Sequence, residues 1–99
     1  MAVKVMVKRV PKPGVWTNMN MILRELRMLG MSQQGYISGE TMISATDRGT
    51  TMVISTWAHV NDWKTYEDLP QRQELLDKLE PLLAEPATFE VWIESPVIG

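Results

Sequence analysis

The sequence predicts an α+β fold of the ferredoxin-like type, with four antiparallel strands in one sheet and helices on one face of it. The first observation is a hydrophobic period of two in four segments, with helical periods in two regions between them. The second is their order, strand, helix, strand, strand, helix, strand, which is the split βαβ arrangement. The third is length. The 99 residues suffice for one domain but not two, so we expect a single domain, residues 1–99, with an ordered core from about residue 2 to 95.

A change of period separates the first strand from the first helix. Residues 2–10 alternate between valines and mostly polar side chains, which is typical of a strand with one buried face. Pro11 and Pro13 end this strand, because proline cannot donate to a sheet ladder. From Trp16 the apolar residues follow helical spacing, and Gly30 can take the left-handed conformation that ends a helix.

The remaining elements follow from strand-forming runs and prolines. Residues 35–45 and 51–58 are rich in Thr, Ile, Val and aromatic side chains, and the loop between them contains the Asp and Gly expected of a hairpin. Residues 60–62 offer capping groups for a short helix. Pro70 is suited to the first turn of the next helix, whereas Pro81 predicts a kink or a fresh turn. Residues 87–94 alternate again and form the last predicted strand.

Composition excludes several classes of function. Ten basic and twelve acidic side chains give a net charge of −2, which argues against a general nucleic-acid or anionic-membrane partner. The absence of cysteine excludes a thiolate nucleophile, and a single histidine cannot build a multi-histidine metal site, so no metal is expected. With no apolar run of about 18 residues, we expect a cytoplasmic protein that does not enter a membrane. The basic residues near the end of the first strand are expected to form a solvated rim: Lys8, Arg9 and Lys12.

The second face of the predicted sheet needs a cover. Two helical regions can pack on one face only, and the other face carries large side chains such as Met6 and Trp92. Left bare, it would expose a larger apolar patch than monomers usually tolerate. We therefore expect a homodimer in which two sheets face each other.

Several short segments, taken in order, resemble those of a known family: Lys12-Pro13-Gly14, residues 23–27, residues 35–41, Trp57 followed by Trp63 and Tyr66, Pro70 with Gln73, and residues 81–86. Together they make nearly the whole chain similar to the antibiotic biosynthesis monooxygenase family of dimeric α+β barrel proteins. The resemblance implies a ligand cleft between the sheet and its own helices. It also implies oxygenase activity without flavin or metal on a polycyclic phenol or quinol, although other members degrade haem. Haem-degrading members use a histidine in the second helical segment, and residues 66–86 contain none.

Three side chains are candidates for catalysis. Histidine is the usual side chain for proton transfer near neutral pH, so His59 could remove a phenolic proton, although a hydrogen-bonded residue at a strand–helix junction is the simpler interpretation. Tyr66 can hydrogen-bond a substrate, and Glu40 can accept a proton.

Substrate-binding candidates are mostly aromatic. Trp63 and Tyr66 are i, i+3 neighbours on one helical face and, with Trp57, can either fill the core or hold a flat ligand. Met19 belongs to a group of methionines that suits a loosely shaped apolar cleft or simple gap filling. Three further residues alternate along the second strand and are expected on one sheet face, either towards the helices or in the dimer contact: Tyr36, Ser38 and Glu40.

The leading interpretation is a cofactor-independent monooxygenase that desolvates and deprotonates a small aromatic phenol or quinol, whose anion then reduces dioxygen. One alternative is a non-enzymatic dimeric module of the same fold that binds or senses a small hydrophobic or aromatic molecule. Another is a haem-binding relative with a different iron ligand.

Overall fold

The computed structural model describes residues 1–98, and no helix in this part of the chain is long and apolar enough to cross a membrane. Its elements are β1 (Val3–Arg9), α1 (Trp16–Met31), β2 (Tyr36–Ile43), β3 (Thr51–Trp57), α2 (Val60–Glu67), α3 (Pro70–Leu79) and β4 (Thr88–Ile93). A short 3-10 turn, Glu80–Leu82, follows α3 at the predicted Pro81 break. The predicted α+β ferredoxin-like fold is confirmed.

The four strands form one antiparallel sheet in the order β2-β3-β1-β4. In the pairing of β1 with β3, Val3 lies opposite Trp57 and Val5 lies opposite Ser55. Opposite residues of an antiparallel pair share a face. Val3, Val5 and Trp57 are all buried against the helices, so this is the helix-facing side of the sheet. We call the other side the open face.

A bulge displaces the start of β2. Tyr36 pairs with Trp57, but Ser38 pairs with Thr56, so one extra residue lies between them on β2. Consecutive residues of a strand point to opposite faces, so Tyr36 lies on the helix-facing side whereas Ser38 lies on the open face. Glu40, two residues further on, shares the open face. The expectation that Tyr36, Ser38 and Glu40 share one face is therefore wrong, because the extra residue breaks the period of two.

Two hydrophobic clusters hold the helices in place. The first lies between the sheet and α2 and contains Val3, Val5, Val7, Trp57, Trp63 and Tyr66. The second lies where α1 meets the end of α3 and contains Met19, Leu26, Leu79 and Leu83. Members of both clusters line one cleft, so the packing of α1 and α3 over the sheet determines its shape.

Strand β4 is exposed along its whole length. On the helix-facing side Phe89 is 52% exposed and Ile93 is 58% exposed, and on the open face Trp92 is 56% exposed. The helices lie on one face of the sheet, as predicted, but α1 packs mainly against β2 and α2 mainly against β3. The edge strand meets α2 at Phe89, whose ring centroid lies 6.1 Å from that of Trp63. Both faces of β4 therefore present apolar side chains to solvent in the single chain.

Candidate functional site

A concave cleft lies between the sheet and the helices. Its volume is about 540 Å³ with the open mouth included. The centre of a water molecule can occupy only about 60 Å³ of that volume. Its lining comes from β1, α1, β2, β3, α2 and α3: Val7, Arg9, Leu23, Leu26, Arg27, Gly30, Tyr36, Thr41, Val53, Ser55, Trp57, Trp63, Tyr66 and Arg72. The cleft is therefore narrow and mostly apolar, with a small number of polar groups, as ligand sites usually are.

Four aromatic rings form one wall of the cleft, and Trp57 is at their centre. The Trp57 ring stacks on Tyr66 with centroids 5.1 Å apart and an interplanar angle of 28°. Tyr36 and Trp63 both meet Trp57 edge-on, at 5.4 Å and 6.0 Å. These are favourable geometries for aromatic pairs, so the rings hold one another in fixed orientations.

Small residues of the sheet leave room beside these rings. The indole Nε1 of Trp57 donates a hydrogen bond to the Ser55 hydroxyl at 3.0 Å, which fixes the indole plane. At Gly39 an added Cβ would lie 2.6 Å from the Tyr36 hydroxyl and 3.0 Å from Arg27 Nε. Because the Tyr36 hydroxyl approaches the backbone of residue 39 so closely, this position requires glycine.

Tyr66 acts as a hydrogen-bond donor here. Its hydroxyl donates to the backbone carbonyl of Leu26 at 3.0 Å and is buried. Burial raises the pKa of Tyr66 above its usual value, and the positive charge of Arg72 only partly opposes this. The phenol consequently stays protonated near neutral pH, which makes it unsuitable as a general base.

Three arginines reach the cleft, and their surroundings differ. Arg27 donates to the Gly39 carbonyl at 3.1 Å and to the Thr41 hydroxyl at 3.0 Å, so it ties α1 to β2. Arg72 places its guanidinium 5.1 Å from the ring centroid of Trp63 and 5.2 Å from that of Tyr66.

Arg9 is only 5% exposed, and its pKa is lowered to about 10 by burial and, secondly, by the charge of Arg72. The Nε atoms of Arg9 and Arg72 are both buried without a hydrogen-bond partner. No aspartate, glutamate or histidine of residues 1–98 lines the cleft.

The structure brings together four of the eight residues predicted for the site. Tyr36, Trp57, Trp63 and Tyr66 line the cleft. Met19 instead fills the cluster between α1 and α3, because its position on the helix points to α3.

The other predicted residues lie outside the cleft. The bulge in β2 places Ser38 and Glu40 on the open face, where both are exposed. His59 is exposed at the start of α2, where its side chain makes no capping hydrogen bond.

Sequence reasoning missed the arginines of the site. The expectation that Arg9 belongs to a solvated rim is wrong, since it is buried beside the cleft. The signal was present, because Arg9 continues the alternation of Val3, Val5 and Val7 on the helix-facing side of β1. Arg72 gave no comparable signal, since its position depends on how α3 packs over Trp63.

Within residues 1–98 no three His, Cys, Asp or Glu side chains come together in a way that could hold a metal ion. The chemical groups that the cleft does offer are aromatic rings, which can stack on a flat ligand, and guanidinium groups, which can bind a negatively charged one.

Comparisons with known proteins agree on the fold. No family model matches the sequence, and no curated protein matches it. Among solved structures, a conserved protein from Methanosarcina mazei is similar with a TM-score of 0.89 at 13% identity, covering 96% of this chain and 94% of that one. A protein from Nitrosomonas europaea, provisionally named an antibiotic biosynthesis monooxygenase, has a TM-score of 0.85 at 13% identity and covers 99% and 94%.

SnoaB, a cofactor-independent oxygenase from Streptomyces nogalater, has a TM-score of 0.83 at 9% identity, covering 98% of this chain and 96% of SnoaB. At these identities the similarities show the fold, and the predicted resemblance to the fold of antibiotic biosynthesis monooxygenases is confirmed.

Proposed function

We propose that the protein binds a small planar phenol or quinol in the cleft and oxygenates it without flavin or metal. The observation that carries the proposal is the wall of four mutually oriented aromatic rings beside a narrow cavity. Such a wall can stack a flat ligand and exclude water from it. SnoaB, which shares the fold, is a cofactor-independent oxygenase, and this supports the choice of reaction.

The proposed reaction needs only substrate and dioxygen. For an anthrone-like substrate, loss of a proton gives an electron-rich anion that transfers electrons to dioxygen and forms a carbon–oxygen bond. One oxygen atom remains as a new ring carbonyl, the other leaves as water, and the substrate methylene supplies both hydrogens and all four electrons. The protein contributes orientation, a dry cavity and stabilisation of the anion.

In the proposed reaction, Arg9 and Arg72 stabilise the substrate anion. The cleft holds no carboxylate or imidazole among the described residues, so neither Glu40 nor His59 is positioned to take a proton there. A guanidinium close to a bound phenol lowers the pKa of that phenol, because an opposite charge favours the ionised form. In this proposal the proton leaves to water while Arg9 and Arg72 favour the anion.

A second candidate function is a binding or sensing module without catalysis. The absence of a proton-accepting side chain from the described cleft favours it over an enzyme that uses a dedicated base. The haem alternative gains no support from His59, which lies outside the cleft, and a Soret band on addition of haem would test it directly.

Oxygen consumption distinguishes these functions. We expect the wild-type protein to consume oxygen when it is given an anthrone-like phenol. Gly39→Ala should lower the rate of oxygen consumption, because the added methyl group displaces Tyr36 and Arg27 at the cleft. Gly49→Ala is the matched control, since its nearest neighbour would be an Asp47 oxygen at 3.5 Å. If flat aromatics quench tryptophan fluorescence without turnover, the binding module is the correct function. If they neither bind nor react, both proposals fail.

We also propose that the protein is a homodimer. Its proposed cytoplasmic location can be tested by cell fractionation. The open face carries Met6 and Ile54 at its centre, and both faces of β4 expose large apolar side chains. A second copy packed on these surfaces removes them from water. Sedimentation should show dimers that Met6→Glu dissociates, whereas Met21→Glu, on the exposed side of α1, should leave them intact. A wild-type monomer at micromolar concentration would contradict this.

A further inference from the structure

We propose that Arg9 and Arg72 form an anion-binding subsite in the cleft, and that the flat phenol or quinol bound there is an aromatic carboxylate, which carries a carboxylate group on its ring. The inference deepens the proposed function by naming a substrate class, and it rests on the proposal that the cleft binds a flat aromatic molecule. Two guanidinium groups line the cleft together with Trp63 and Tyr66, so a charged group and a ring would be recognised side by side.

The unmet donors of the two arginines are the first argument. The Nε atoms of Arg9 and Arg72 are buried and have no hydrogen-bond partner. Buried polar groups are nearly always paired, so such an orphan calls for an explanation such as a missing ligand. Arg27 shows what a purely structural arginine looks like in this cleft, because it bonds Gly39 and Thr41.

The concentration of positive charge is the second argument. Arg9 is nine-tenths buried, and Arg72 lies close enough that its charge lowers the pKa of Arg9 further. Glu80 and Arg9 both line a second groove beside α3, but Glu80 is not among the groups that shift the pKa of Arg9. No carboxylate among residues 1–98 lines the cleft beside these two positive charges, and a bound anion would supply the counter-charge.

The geometry favours a carboxylate as that anion. A carboxylate is already ionised at neutral pH and offers two oxygens, which matches two guanidinium groups with free donors. A phenol offers one oxygen and is neutral at the same pH. The guanidinium of Arg72 stacks over Trp63 and Tyr66, so a carboxylate that reaches it would place its own ring against the aromatic wall.

Calorimetric titration with three probes tests the subsite: 1-naphthoate, uncharged 1-naphthamide and acetate. Wild type should bind naphthoate at least about tenfold more tightly than naphthamide, the scale expected for a hydrogen bond to a charged group. Arg9→Met should remove that preference by weakening naphthoate much more than naphthamide, a pattern that a purely structural role would not produce. Arg72→Met should also weaken naphthoate, and Arg24→Met, an exposed arginine of α1, should bind as wild type does. Thermal unfolding of each variant verifies that it is folded.

Each contrary outcome has a distinct meaning. Equal affinity for naphthoate and naphthamide would overturn the anion subsite and leave aromatic binding in place. Acetate binding as tightly as naphthoate would overturn the aromatic carboxylate as the ligand class. Failure of both naphthalene compounds to bind would overturn the proposed function and this inference with it.

Discussion

Replacing Arg9 with methionine should make the unliganded protein more stable. The guanidinium of Arg9 is buried, carries an unpartnered Nε, and lies near the positive charge of Arg72. Methionine keeps an unbranched apolar chain in the same place and removes the buried charge. Substituting apolar residues for buried charged groups is often neutral or stabilising, and here the chain supplies no opposite charge to offset desolvation.

The size of the effect follows from the pKa of Arg9. The lowering of the Arg9 pKa to about 10 means that the folded protein disfavours the charged form by about 3 kcal/mol. After allowance for lost packing, we expect a gain of roughly 1–3 kcal/mol in the free energy of unfolding. In a chain of this length that raises the melting temperature by at least about 4 °C.

Thermal and denaturant unfolding without ligand measure this gain. Arg24→Met is the matched control, because an exposed arginine should change stability by no more than about 0.5 kcal/mol. Above about pH 10 the unfolded wild type binds more protons at Arg9 than the folded state does. The destabilisation caused by Arg9 therefore diminishes, and the difference in stability between Arg9→Met and wild type should narrow. A melting temperature of Arg9→Met equal to or below that of wild type would refute the reasoning, since it would mean that the charge is compensated.

Three other substitutions test the framework of the fold. Gly14→Ala should cost about 1–2 kcal/mol, because φ is +80° there and nothing lies nearby. Gly35→Ala should lower the free energy of unfolding by more, because φ is +83° and the added Cβ would also collide with the Asp62 side chain. If chemical denaturation shows that Gly14→Ala and Gly35→Ala lose the same free energy of unfolding, this reasoning is wrong. Tyr66→Phe should lower the free energy of unfolding by about 1 kcal/mol, because the hydrogen bond to Leu26 is lost. Because the pKa of Tyr66 is raised on folding, its contribution to stability is complete below pH 10 and declines above it. Above pH 10 the stability of Tyr66→Phe should therefore fall less steeply than that of wild type, and an equally steep fall would be evidence against this explanation.

The order of the elements could be predicted because it depends on local signals. The valines of β1 mark a buried face, and prolines mark the starts of α3 and of the 3-10 turn. The spacing of Trp63 and Tyr66 places them on one side of α2, and both do line the cleft. These features need only neighbours along the chain, so periodicity is enough to find them.

The polar residues of the site could not be predicted in the same way. Counting from Tyr36 predicts that Ser38 and Glu40 share its face of the sheet. The bulge that separates them from Tyr36 forms only when β2 pairs with β3, so this difference could not be predicted. His59 has the side-chain chemistry of a catalytic base, yet its exposure depends on the direction in which α2 leaves the sheet.

The sequence by itself therefore determined which segments become strands and helices, their order, and the burial of Val3, Val5, Val7 and, in the same phase, Arg9. Only the tertiary structure decided that Arg72 lies over Trp63 and Tyr66, that Met19 packs away from the cleft, and that β4 is left uncovered. The physical reason is that a hydrophobic period depends on the geometry of one element, whereas a cleft depends on the register and packing of several. Residues distant in the chain meet there only after those elements have docked.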